Sequence, residues 1–107
     1  MSCELDVLDC FGRRVLLDHS NWEKHLTRRP DLIPYRERFA EVLSRLDAVI
    51  QAERDGALHF YRTGIGEGKF ANLYLRIVIG RYSPVDKIKS WWFCTTVDPR
   101  GTELQCP

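Results

Sequence analysis

The stretch from Trp22 to Pro30, WEKHLTRRP, puts His25, Arg28 and Arg29 within one or two helical turns. Residues three and four apart share a helix face, so one imidazole and two guanidinium groups would point the same way. Cleaving RNA without a metal needs three services: a base for the 2′-hydroxyl, a cation for the charge gathering on phosphorus, and an acid for the leaving oxygen. Imidazole titrates near neutral pH and can serve as base or acid. Guanidinium pairs with two phosphate oxygens at once, and hydroxyls from a neighbouring sheet can hydrogen-bond the same phosphate. The plain alternative is a solvated helix face, the usual fate of such residues.

The flanking pattern shows what would hold these groups. Ser20 and Glu23 have capping-box spacing, which starts a first helix near Asn21. Trp22 and Leu26 give that helix its apolar stripe, and Pro30 ends it. A second helix is expected from Pro34 to Leu46 or Asp47, with Tyr35, Phe39, Val42, Leu43 and Leu46 on one face. Upstream, Glu4–Cys10 and Arg13–Leu17 suggest a hairpin. Downstream the period becomes two, giving strands over 48–53, 57–62, 72–82 and 87–97. Ser83-Pro84-Val85-Asp86 reads as the turn before the last strand. Asp55-Gly56 is a hairpin signal, and residues 98–107 read as a tail. In the 57–62 strand, Leu58 and Phe60 face one way and His59 and Tyr61 the other.

The expected architecture is therefore α+β: N-terminal helices packed on a twisted antiparallel sheet of about four strands, in one domain over 1–107. The chain is 44% hydrophobic and 29% charged, enough for a packed core. Net charge is +1, but residues 62–89 hold six bases (Arg62, Lys69, Arg76, Arg81, Lys87, Lys89) against Glu67 and Asp86. GIGEGKF lacks the spacing of a phosphate loop and fits a wide hairpin better. The aromatics Tyr74, Tyr82, Trp91, Trp92 and Phe93 could stack on bases, although most are expected in the core. No Asp/Glu cluster suited to a metal is visible, so no metal or cofactor is expected. Cys3, Cys10, Cys94 and Cys106 lack metal spacing. With no signal peptide and no membrane-length apolar run, a reducing, cytoplasmic setting with free thiols is expected. A Cys3–Cys106 link is the alternative.

Three blocks resemble the phage-associated branch of the barnase–EndoU–colicin–RelE-like (BECR) nuclease superfamily: GRRVLLDHSNWEKHLTRRPDL (12–32), LSRLDAVIQAERDGALHFYR (43–62), and LYLRIVIG with WWFCTTVDP. Together they cover about residues 11–99. The family's second histidine is Arg29 here, and the tyrosine of its last block is Val97. The resemblance implies a small metal-independent ribonuclease-like domain of the toxin or phage-linked effector type. It implies RNA as substrate and an antitoxin or immunity protein as partner. It assigns His25 as acid or base, Arg29 with Arg28 to the phosphate, and Tyr61 and Thr95 as hydroxyl donors from the sheet. Arg76 would add positive charge, and His59 stands in reserve. A non-catalytic module binding RNA or protein on the same fold is the alternative, as is an interaction domain pairing through its aromatic last strand.

Overall fold

The computed structural model describes residues 3–81 and 85–107. The expected strand end at Tyr82 and the turn residues Ser83 and Pro84 lie outside them. In chain order the elements are β1 (Cys3–Leu8), β2 (Arg14–Asp18) and α1 (His19–Arg28), then a 3₁₀ segment (Pro30–Arg38), α2 (Phe39–Ser44), β3 (Ala48–Gln51) and β4 (Leu58–Arg62). A short 3₁₀ turn (Gly68–Phe70), β5 (Tyr74–Gly80), β6 (Asp86–Cys94) and β7 (Thr102–Leu104) complete it.

The expectation of about four antiparallel strands is corrected. The sheet has seven strands in the order β1-β2-β6-β5-β4-β3-β7. It is mixed, because β2 runs parallel to β6 through Val15–Asp86 and Leu16–Lys87. The N-terminal hairpin extends the sheet on one side. On the other, the expected tail forms β7 against β3 through three residue pairs. Both additions cover backbone groups that a four-stranded sheet would leave open at its edges. The helical part shrinks correspondingly, to a ten-residue α1 and a six-residue α2. The continuous second helix is replaced by a 3₁₀ segment up to Arg38, with Pro34 inside it. Proline supplies no N–H and crowds the carbonyl four residues back, so an α-helical start is disfavoured where Pro30 and Pro34 fall four apart. Helix α1 begins at His19 with Asp18 as its N-cap residue and no side-chain cap bond, rather than with the expected capping box.

The two faces of the sheet differ. Leu58, Phe60, Leu75, Ile77, Ile79, Ile88 and Trp91 pack with Trp22, Phe39, Val42 and Leu43 in the core. The intervening residues His59, Tyr61, Arg76 and Trp92 therefore project from the opposite, open face, as strand alternation requires. Register aligns them: Tyr61 pairs with Arg76, and Arg76 with Trp92. Among the described residues, no helix is long and apolar enough to cross a membrane.

The cysteines also depart from expectation. Cys10 and Cys106 form a disulfide, while Cys3 and Cys94 are free. The expected all-thiol state is thus corrected, as is the alternative pairing. The hairpin turn brings Cys10 to where the C-terminal strand ends, with a Cα–Cα separation from Cys106 of 5.6 Å.

Candidate functional site on the open sheet face

A cleft of about 340 Å³ opens on the uncovered face, lined in part by Ile50, His59, Tyr61, Arg76, Asp98 and Arg100. Adjacent strands β4 and β5 supply His59, Tyr61 and Arg76, and the chain after β6 supplies Asp98 and Arg100. The rest of the rim comes from the β3–β4 turn, including Arg54 and Asp55.

Arg76 lies at the centre. Its guanidinium carbon is 4.6 Å from the Trp92 ring centroid and 5.4 Å from that of Tyr61. Such cation–π contacts hold the group against two aromatic faces. Its Nε donates to His59 Nδ1 at 3.0 Å, and its Nη2 faces the same nitrogen. A nitrogen that accepts from guanidinium carries no proton, so the neutral ring has its proton on Nε2. Burial pushes the His59 pKa below its ordinary value, and the charge of Arg76 lowers it further.

Tyr61 has no exposed surface. Its hydroxyl oxygen accepts the backbone N–H of Asp98 at 3.3 Å, which leaves its own proton to donate. Burial raises its pKa. The Asp98 carboxylate takes the Arg100 guanidinium, with Nη2 to Oδ2 at 2.7 Å, and accepts the Arg100 backbone N–H at 3.0 Å. The Arg100 contacts hold the Asp98 carboxyl far below the usual range, and Arg76 adds to the effect.

The sequence groups the bases of residues 62–89 into one positive segment, whereas the fold pairs most of them with carboxylates. Arg62 meets Glu41, Lys69 Asp31, Arg81 Asp86, Lys87 Asp18, and Lys89 Asp55. Among the described residues, Arg76 is the one of the six whose guanidinium contacts a histidine and two aromatic faces instead.

The structure does not bring His25, Arg28 and Arg29 to this cleft. His25 stacks on Trp91 at 4.2 Å between ring centroids, on the helix-covered side, and its Nδ1 donates to the Asn21 carbonyl at 2.9 Å. It is half-buried, while Arg28 and Arg29 are exposed at the end of α1. The sheet therefore separates the expected acid/base and its arginines from Tyr61. Thr95 is exposed just past β6 and does not line the cleft. Of the expected residues, His59, Tyr61 and Arg76 come together.

Asp98 and Arg100 escaped the sequence expectations because they fall in the supposed tail. A local signal was present. Asp98-Pro99-Arg100-Gly101 has Asp, Pro and Gly at the first, second and fourth positions favoured by a type I turn. Gly101 has φ +102°, and a Cβ there would lie 2.2 Å from the Gln51 carbonyl oxygen. Only glycine lets the chain pass so close to β3.

Among the described residues, no three His, Cys, Asp or Glu side chains cluster so as to hold a metal ion. Compared with family models, curated protein sequences and solved structures, the chain matches none.

Proposed function

We propose that the protein is a ribonuclease-like domain that takes single-stranded RNA on its open sheet face, with a backbone phosphate at Arg76. The convergence of His59, Tyr61 and Arg76 in one cleft carries this reading. Arg76 offers a phosphate a planar pair of donors, and the Trp92 face beside it suits an unstacked base. In a metal-free cleavage, the phosphate draws the guanidinium toward itself and frees His59 Nδ1. That nitrogen then takes the proton of the 2′-hydroxyl, whose oxygen attacks phosphorus. The P–O5′ bond breaks, and the leaving oxygen takes a proton from solvent. Once the Asp98 segment moves aside, the Tyr61 hydroxyl donates to a phosphate oxygen. Fold alone does not specify this activity, so the proposal stands on the cleft.

A second reading is binding without cleavage. One observation favours it: Arg76 already occupies His59 Nδ1, the nitrogen a base would need. Purified protein incubated with mixed RNA in chelator separates the two. Cleavage by the native chain, reduced about 10²–10⁴-fold in His59→Ala, supports an enzyme. Retention of RNA without new product ends supports a binding module. Absence of both outcomes at low salt, with and without a dithiol reductant, removes RNA from consideration.

A further inference from the structure

The segment after β6 walls one side of the cleft, where Asp98 and Arg100 line it. It holds the Tyr61 hydroxyl through the Asp98 N–H, and the tyrosine beneath is fully buried. It also places a carboxylate where its field opposes that of Arg76. Residues 98–107 carry Asp98 and Glu103 against Arg100 alone.

The noncovalent hold on this segment is short: Leu104 packs at the margin of the core, and Gly101 passes close to the Gln51 carbonyl. Strand β7 makes three residue pairs with β3 at the edge of the sheet, and Thr102 and Glu103 are exposed. An edge strand this short is marginal by itself and belongs to the least protected part of a fold. Beyond it, Cys106 is bonded to Cys10. Cys10 is well anchored: its N–H donates to the Leu43 carbonyl at 2.8 Å, and it follows the buried Asp9 turn. The covalent link keeps β7 at high effective concentration beside β3. Cys106 is exposed, so a reductant can reach its sulfur.

We infer that the Cys10–Cys106 disulfide is a clasp that keeps the C-terminal segment seated over the open-face cleft, and that a dithiol reductant opens the cleft by cutting it. A thiolate of the reductant attacks Cys106 Sγ, forming a mixed disulfide and releasing Cys10 as a thiolate that takes a proton. The second thiolate of the reductant attacks its own sulfur in the mixed disulfide and releases Cys106, which is protonated. Two electrons and two protons reach the protein, and the reductant leaves as its disulfide. Strand β7 then separates from β3, Asp98 withdraws from Tyr61, and Arg76 loses the opposing carboxylate. RNA handling is weak in an oxidising setting and rises in a reducing one. That consequence rests on the function proposed above, whereas the opening itself does not.

Hydrogen exchange on the full chain, oxidised and dithiothreitol-reduced, tests the opening without RNA. Exchange over residues 49–51 and 98–104 should rise on the order of tenfold or more while β4, β5 and β6 stay protected. The Tyr61 phenol should titrate at lower pH once uncovered. Cys106→Ser should show the reduced pattern without reductant and ignore its addition. Unchanged exchange in a chain whose Cys10 and Cys106 have both been alkylated overturns the clasp. Exchange across β4, β5 and β6 as fast as that of residues 98–104 in the reduced chain also overturns it, because the segment would then open only with the whole domain. With a fluorescent single-stranded RNA, affinity should rise several-fold on reduction. Local opening with unchanged affinity overturns the gating. Absence of RNA binding in both states removes the RNA function while the exchange data still decide the clasp.

Discussion

Arg76 owes its position to neighbours that hold it without neutralising it. A carboxylate partner would satisfy the guanidinium and cancel its charge, whereas the faces of Trp92 and Tyr61 orient it and leave edge donors for a ligand. Arg76→Ala should therefore abolish RNA retention, and Arg76→Lys should restore only part of it, because an ammonium lacks the planar fork. Filter binding of labelled RNA measures both. His59 and His19 should titrate apart. Burial and Arg76 lower the His59 pKa, whereas Glu4 and Glu23 raise that of His19. His59 is neutral in the fold where the unfolded chain would be protonated. Its contribution to stability is therefore present above about pH 6.5 and lost as pH falls through its depressed folded value. His19 behaves oppositely: its contribution is present below about pH 6.5 and lost as pH rises through its elevated value. Ring-proton NMR titration should show one midpoint on each side of 6.5, and His59→Gln should remove the acid-side loss in urea melts. Two coincident midpoints would contradict the assigned contacts.

At the scale of elements, α1 serves the core rather than the cleft. Trp22 stacks on Trp91 at 5.7 Å, His25 stacks on the same ring, and Phe39 meets it edge-on at 5.3 Å. Removing the imidazole should cost about 0.5–1.5 kcal/mol of stability, the range for one aromatic contact. RNA binding and any cleavage should be unchanged in His25→Ala. A large loss of turnover with an intact urea transition would return the helix to the site. Strands β5 and β6 support a second expectation at this scale. On β6, Lys87 and Lys89 are paired with Asp18 and Asp55, so few of the bases are free to release counterions. The slope of log Kobs against log salt should be shallow, about −0.7 to −1.5 for one or two phosphate contacts on a single strand. A slope near −3 or steeper would mean that RNA displaces the carboxylates and uses the whole basic segment.

Across the whole molecule, the disulfide links residues 96 apart and joins the first hairpin to the last strand. Closing so long a loop restricts the unfolded chain, and its removal should lower stability by about 2–4 kcal/mol. Urea melts with and without reductant measure this, and an unchanged midpoint would show that the bond contributes little. The sequence by itself determined what depends on near neighbours. Alternation in LHFYR set His59 and Tyr61 opposite Leu58 and Phe60, and the Trp22/Leu26 spacing set the buried stripe of α1. Asp55-Gly56 marked the β3–β4 turn, where Gly56 takes φ +72°. What only the tertiary structure decided depends on contacts between distant residues. His25 and Tyr61 are both polar positions on amphipathic elements, and no local pattern tells which side of the sheet a helix will cover. The basic segment looked free because four of its five carboxylate partners, from Asp18 to Asp55, lie far off in sequence. Residues 98–107 looked like a tail because a three-residue edge strand has too few alternations to register. Its pairing with β3 and its bond to Cys10 arise only when the chain ends meet, since hydrophobic burial and sheet closure act on proximity in space rather than along the chain.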